Sequence, residues 1–259
     1  MKTIGVISAR YESSRFPGKM LKKVMGKPLL SWSIENAQKV DFISDLIVAT
    51  DSDEIVNFVK DNYDIEVVKT KEARSATERV FLIYEKERDR MVHDWYMSIP
   101  ADEPFIDPNE IMEKANPNKS FSVFEPDCPI TLFTRFYSFP DLESRQSCKI
   151  VSNKFDYMVY SSRAKIPSTK DGHYLYLKDY KKHVGIFFFH HTFFEKHKDT
   201  MLYKYDWKSE LESVESLEQN RFIDLGIEIK LIEIKHDYFG IDTPDQIKLI
   251  EDRYKLINK

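Results

Sequence analysis

Cysteine is nearly absent: Cys128 and Cys148 are the only two in 259 residues. That is too few for a disulfide framework, and neither has partners at zinc-site spacing, so both read as ordinary thiols. Glycine is also scarce, seven in all, and Gly18 is the only one in the loop after the first strand-like run. A Walker A loop or a Gly-x-Gly-x-x-Gly turn needs more than that, so P-loop NTPase and dinucleotide-dehydrogenase readings lose their defining parts. No stretch approaches the roughly 20 continuous apolar residues of a membrane helix. Met1-Lys2-Thr3 runs straight into strand-like Ile4 to Ile7 with no signal-peptide core. A cytoplasmic protein without a membrane partner is expected. Neither sign of charge dominates: 39 Lys+Arg against 43 Asp+Glu give a net charge of −4, without the positive field that duplex nucleic acid demands. No nucleic-acid partner is expected. His-Glu-x-x-His, Cys-x-x-Cys and Gly-x-Ser-x-Gly are missing too, which removes the commonest zinc-protease, redox and hydrolase readings.

What is present is enough apolar and aromatic side chain, 42% and 14%, to fill a globular core rather than a disordered chain. Strand-like and helix-like patterns alternate through the first half. Ile4 to Ile7 reads as a buried strand. Pro28 opens a helix whose Leu30, Ile34 and Ala37 share one face. Leu46 to Ala49 is a strand, Ile55, Val56 and Val59 mark a short helix, and Ile65 to Val68 is another strand. Ser75 to Arg88 is a helix with Val80, Ile83 and Tyr84 inward, and Trp95 to Ile99 a further strand. Such alternation predicts an α/β fold with a mostly parallel, twisted sheet covered by helices on both faces. From about residue 120 to 186, prolines break the chain into short strand-like pieces, an inserted β-rich lobe within a single domain spanning 1–259. Val184 to Phe189, a helix around Glu210 to Phe222 with Leu211, Val214, Leu217 and Phe222 inward, the alternating strand Ile227 to Leu231 and a last helix after Thr243 return to the layered pattern. The runs Phe187 to Phe189 and Phe193-Phe194 read as core or interface packing.

In a parallel sheet, ligands collect beyond the carboxyl ends of the strands, so three loops matter. Ser8 to Lys19 brings Arg10, Arg15 and Lys19 to the mouth of the sheet, where cations can neutralise a triphosphate and the charge that grows as pyrophosphate leaves. Thr50 to Asp53 is the second. Pro100 to Pro104 carries Asp102, a carboxylate able to hold Mg²⁺ or merely to begin a turn. Elsewhere, Ser75 to Glu78 is a capping box followed by Arg79, a helix start that also suits a phosphate or a base edge. Thr243, Pro244 and Gln246 make a second capping pattern, which leaves Asp242 over as a possible second metal carboxylate. His183 opens an apolar strand and Glu218 sits on a helix, both readable as ordinary surface or core residues.

In their order along the chain these motifs resemble one family, the CMP-Kdo synthetases, or 3-deoxy-manno-octulosonate cytidylyltransferases. Ser8 to Lys19 is similar to the family's Pro-Ala-Arg-Tyr-x-Ser-x-Arg-Leu-Pro-Gly-Lys loop, Ser75 to Arg79 to its Ser-Gly-Thr-Glu/Asp-Arg, and Asp102-Glu103-Pro104 to its Asp-Glu-Pro. Ser162 to Pro167, His183 to Ile186, Leu217 to Gln219 and Gly240 to Pro244 match its later motifs. The resemblance spans nearly the whole chain. It implies a Rossmann-like nucleotidyltransferase fold and a cytoplasmic, Mg²⁺-dependent homodimer that joins CTP to an acidic ketosugar for surface-glycan assembly, releasing pyrophosphate. It further implies that Ser8, Ala9, Arg10, Arg15 and Lys19, with Ser75 and Arg79, surround the nucleotide, and that Asp102 and Asp242 hold metal. Arg10, Lys19, Asp102 and Asp242 would carry the chemistry. Arg163, His183, Glu218 and Gln219 would face the sugar acid, and the 120–186 lobe would serve sugar binding and dimerisation.

The chain departs from the family where Gln-Gly usually precedes Asp-Glu-Pro, here Pro100-Ala101, and where Tyr follows the histidine by four residues, here Phe187. Ala76 replaces a glycine. Two polar groups that would touch the sugar are gone, which points to a modified ketosugar, because a site built to bond a hydroxyl discriminates against its absence. An acylneuraminate-type cytidylyltransferase shares the fold, but Gly240 to Pro244 fits the Kdo type better. A sugar-1-phosphate nucleotidyltransferase would need a glycine-rich opening loop, and a non-catalytic relative would bind CTP without releasing pyrophosphate.

Overall fold

The computed structural model describes residues 1–11, 16–89, 93–121, 126–198, 209–236, 238 and 240–257. The chain divides into two compact units, Met1–Met112 with Tyr238–Lys259, and Glu113–Asp237.

In the first unit, β1 (Thr3–Ser8), β2 (Ile43–Thr50), β3 (Glu66–Lys69) and β4 (Trp95–Pro100) form a sheet in the order β4-β1-β2-β3, parallel throughout. Ile4, Val6 and Ile7 are all fully buried, as a strand with both faces covered requires. The connecting helices are α1 (Leu29–Ala37), α2 (Asp53–Asn62) and α3 (Ala76–Glu87). Their buried faces carry Leu30, Ile34 and Ala37, then Ile55 and Val59, then Val80, Ile83 and Tyr84, as the helical spacing predicts, while Val56, the third apolar residue that marks α2, is only half-buried. Ser52 and Ser75 cap α2 and α3, their hydroxyls accepting from Ile55 N (3.3 Å) and Glu78 N (3.1 Å). Pro28 stands one position earlier than expected, as the cap of α1 with ψ 144° rather than as its first helical residue.

Strand register sets the position of the loops. Ser8 lies level with Ala49 of β2 and Pro100 of β4, so the segments after β1, β2 and β4 leave the sheet at one edge. Around the first of them, Phe16, Val24, Leu29, Ile241 and Ile250 form an apolar cluster with Met25, Trp32, Phe105 and Ile247. Glu251 on the last helix, Pro244–Ile257, accepts from Met25 N at 2.9 Å. Residues more than 200 positions apart are thereby fixed side by side.

In the second unit, β5 (Ile130–Arg135), β6 (Lys149–Ser152), β7 (Met158–Ser162) and β8 (Lys181–His190) pair antiparallel, β8 with β5 and β6, and β6 with β7. A later strand, β9 (Lys230–Glu233), joins β5 in parallel. This unit begins and ends outside the 120–186 segment, because β8 and β9 are hydrogen-bonded to β5 and cannot be separated from it. Phe187, Phe188, Phe189, Phe193 and Phe194 are fully buried, with Phe187 and Phe189 5.7 Å apart and Phe193 continuing the stack from α4 (His191–Lys198). The expected helix around Glu210 to Phe222 is two: α5 (Glu210–Glu215) and α6 (Gln219–Asp224), separated where Ser216 turns left-handed at φ 52°. The break resets the helical phase, so Val214 is exposed while Leu217 and Phe222 are buried. The strand expected at Ile227 to Leu231 starts at Lys230. Among the described residues no helix is long and apolar enough to cross a membrane.

Candidate active site

A cleft of about 560 Å³ opens at the carboxyl edge of the first unit's sheet, and its walls include Ser8, Arg10, Lys19, Arg74, Ser75, Ala76, Arg79, Pro100, Ala101, Asp102 and Asp242. Four separate stretches line it: the loop after β1, the end of β4, the segment before the last helix, and residues 73–79 at the start of α3. Gly18, at φ 67°, occupies the left-handed region, and a Cβ there would meet the Tyr11 ring at 3.3 Å, so both backbone and space favour glycine. That turn starts the short helical turn Lys19–Leu21. The strand end of β4 delivers Asp102. The third stretch is locked to it by a backbone bond, Ile241 N to Asp102 O at 3.0 Å.

Lys19 is the centre of the arrangement. Its ammonium donates to Asp102 Oδ2 at 2.6 Å, to the Ile241 carbonyl at 3.0 Å and to Asp242 Oδ1 at 3.4 Å. Only 5% of its surface is exposed, and a lysine buried to that degree persists only when its charge is met. Asp102 and Asp242, 140 positions apart in sequence, thus meet at a single cation. Asp242 N and Thr243 N both donate to Gln246 Oε1, at 2.6 and 2.9 Å. The capping pattern therefore fixes the backbone that presents Asp242.

Arg79, 3% exposed, lines the cleft with its guanidinium spent on Asp51 Oδ2 (2.7 Å) and Thr70 Oγ1 (2.8 Å). Ser8 donates to the Ala76 carbonyl at 3.3 Å. Ala9 is buried with its N–H on the Ala49 carbonyl at 3.0 Å, so it contributes backbone shape. Arg10 is exposed at the rim. Arg15 lies outside the described residues. Arg74, on the cleft wall, and Thr70 lie outside the stretches that motif reading singled out, and Asp51 sits within the Thr50 to Asp53 loop but was not named as a site residue. Arg74 stood one residue before the capping box, a position with no recurrent role, and Asp51 and Thr70 matter only through Arg79.

The donor set suits a hard cation. Among the described residues no group of three or more His, Cys, Asp or Glu could hold an ion by itself. Asp102 and Asp242 make a two-carboxylate corner already organised around a positive charge, which is what Mg²⁺ takes when phosphate oxygens and water complete its shell. Carboxylates also match Lys19 and Arg79, two of the four basic residues on the cleft wall, so a triphosphate calls for positive charge beyond these two.

The residues expected at the sugar acid all lie in the second unit and share a different neighbourhood. His183 N donates to the Cys148 carbonyl at 2.9 Å, and Gln219 Nε2 donates to Cys148 Sγ at 3.1 Å and Ser161 Oγ at 3.0 Å. Gln219 is buried, and its amide nitrogen is used inside the fold. The Arg163 guanidinium is likewise spent on carbonyls: Glu215 O at 2.7 Å, Arg145 O at 2.9 Å and Ser216 O at 3.0 Å. Buried Lys149 donates to the carbonyls of Ser144, Ser147 and Arg163, fixing the same corner. Glu218 caps α6 by position. The Thr131 hydroxyl has one proton, and its closest acceptor is the Ile186 carbonyl at 2.7 Å, so it accepts from His183 Nε2 at 2.9 Å. Burial holds the His183 imidazole down to about 4. It is neutral at pH 7, with Nδ1 as its acceptor. Burial pushes the Cys148 thiol up to about 12, which keeps it protonated and inert.

Comparison with known proteins places the whole chain. The family model for cytidylyltransferases matches residues 4–231. A 3-deoxy-manno-octulosonate cytidylyltransferase of Fusobacterium nucleatum is 31% identical, and one of Parabacteroides distasonis 33%, each alignment covering 96% of both chains. A solved CMP:2-keto-3-deoxy-manno-octonic acid synthetase, complexed with CTP, superposes with a TM-score of 0.82 at 27% identity over 99% of both chains. Motif order, sheet register and whole-length similarity lead to one assignment, and the chain belongs to the cytidylyltransferase family, in the 3-deoxy-manno-octulosonate branch.

Proposed function

We propose that the protein transfers CMP from CTP to the anomeric hydroxyl of a 3-deoxy-octulosonate-type acidic ketosugar and releases pyrophosphate. The observation that carries this reading is the meeting of Lys19, Asp102 and Asp242 in the cleft that also holds Arg10, Ser75 and Arg79. In the reaction the anomeric oxygen forms a bond to the α-phosphorus. The bond from that phosphorus to the bridging oxygen breaks, and its electron pair leaves with pyrophosphate while the hydroxyl proton passes to solvent. No covalent enzyme intermediate is needed, so positioning and charge stabilisation supply the catalysis. Arg10 and Lys19 offer positive charge to the phosphate oxygens, and the first turn of α3 adds backbone N–H donors. Asp102 and Asp242 would hold Mg²⁺, which when bound supplies Lewis-acid stabilisation of the phosphate charge. Arg79, held by Asp51 and Thr70, shapes the wall.

On the sugar side, His183 offers an acceptor nitrogen. Phe187 packs against its ring at 5.3 Å and is fully buried, so no hydroxyl is offered there. This supports a ketosugar modified at the position that a tyrosine would otherwise read. The homodimer and the cytoplasmic address implied by the resemblance belong to the same proposal, and the mass in solution by light scattering tests the first.

Pyrophosphate release with CTP, Mg²⁺ and a panel of 3-deoxy-ketosugar acids tests the function. Release with CTP and at least one ketosugar is expected, falling on the order of 100-fold or more in Asp102→Asn. Turnover with UTP and a sugar phosphate, and none with CTP and any ketosugar, would reject the reading.

A further inference from the structure

We propose that Arg74 binds the phosphate chain of the nucleotide, an inference that rests on the CTP reading above. Arg74 lines the same cleft as Arg10, Lys19, Asp102 and Asp242. Of the four basic side chains there, Lys19 is already matched by two carboxylates and Arg79 is almost entirely covered and bonded to Asp51. Arg74 differs from both: its side chain is 43% exposed.

It is nevertheless held in place. One oxygen of the buried Glu78 carboxylate, Oε2, accepts both the Arg74 backbone N–H at 2.8 Å and Arg74 Nε at 3.1 Å. Sequence reading expected Glu78 to reach back to the cap residue Ser75; its carboxylate instead grips the residue before the cap. Anchoring a guanidinium through Nε restricts its rotation and leaves the edge formed by Nη1 and Nη2 for another acceptor. Two parallel N–H donors on one planar edge match two oxygens of a phosphate, a geometry that a lysine cannot supply. The anchor also sits beside the first turn of α3, a twelve-residue helix capped by Ser75, whose positive end favours the same kind of ligand.

Titration of the full-length protein by calorimetry, with Mg²⁺ present and either CTP or cytidine as ligand, tests this. Arg74→Gln is expected to weaken CTP binding by about tenfold or more, the size of a lost charge-assisted bond, while cytidine affinity stays within about twofold. Arg74→Lys should recover part of the CTP affinity, since the charge returns without the fork. Unchanged CTP affinity in Arg74→Gln, or an equal fall for CTP and cytidine, would overturn the assignment. Should Arg74→Gln fail to fold, the Arg74→Lys comparison decides, with a CTP-only loss supporting the role and no loss, or an equal loss for cytidine, overturning it. A wild-type protein that binds no CTP would remove the functional reading together with this one. Wild-type binding with an indifferent Arg74→Gln removes only this one.

Discussion

A lysine ammonium with 5% of its surface exposed is tolerable only because three oxygens receive its protons, and two of them carry charge. Replacing Lys19 by Met leaves Asp102 and Asp242 facing each other, yet both stay about 30% exposed and can hydrate. We therefore expect Lys19→Met to lower pyrophosphate release by roughly 10²–10³-fold with a melting temperature changed by only a few degrees. Release assays and thermal melts on the same preparation check both halves. His183 provides a second test at this scale. Its folded pKa of about 4 lies below the ordinary histidine value of 6.5, so between those values the unfolded chain binds a proton that the folded chain refuses. Stability then rises with pH across the window and is lost on acidification from about 6.5 towards 4, by on the order of 1–3 kcal/mol. Denaturant melts at pH 6.5 and 4.5 should show a smaller acid loss in His183→Gln than in wild type. Equal losses would contradict the half-buried, neutral imidazole. At the residue scale the site was partly legible: Arg10, Lys19 and Asp102 lie in loops after strands and Asp242 just before a cap, but it was the order of the motifs, by resemblance, that singled them out. Arg74 was not legible, since its role depends on where the Glu78 carboxylate turns, and a sequence gives no sign of that.

Elements were legible wherever apolar spacing ran without interruption. α1, α2 and α3 bury the faces that their periodicity marks, and both capping patterns lie at helix starts. The failure lies between Glu210 and Phe222, where one apolar rhythm covers two helices. No proline or glycine marks the break; Ser216 makes it by adopting φ 52°, a region that costs an L-residue about 1–2 kcal/mol. The Ser216 carbonyl accepts from Arg163 Nη2 at 3.0 Å, and the Glu215 carboxylate takes Ser162 Oγ at 2.6 Å and Arg163 N at 3.0 Å. The turn thus joins α5 and α6 to the end of β7. Ser216→Val, β-branched and poorly suited to positive φ, is expected to destabilise the protein by about 1–2 kcal/mol, while Ser216→Gly should be neutral or slightly stabilising. Denaturant unfolding of the two variants measures this directly.

For the molecule as a whole, the parallel sheet of the first unit could be read from alternation, because strands buried on both faces leave continuous apolar runs. The extent of the second unit could not. Its strands β5 and β9 are about a hundred residues apart, and their pairing is written in no local pattern. The convergence of the active site belongs to the same scale: the apolar cluster around Phe16 and Ile241 and the bond from Ile241 N to Asp102 O bring the ends of the first unit together. The measurement that bears most directly on this is the affinity of the CTP-bound protein for Mn²⁺, followed by water-proton relaxation, in wild type, Asp102→Asn and Asp242→Asn. Each substitution is expected to weaken Mn²⁺ binding by about tenfold or more. Wild-type affinity in either variant would mean that the two carboxylates do not share one cation beside the nucleotide, and the proposed site would fall.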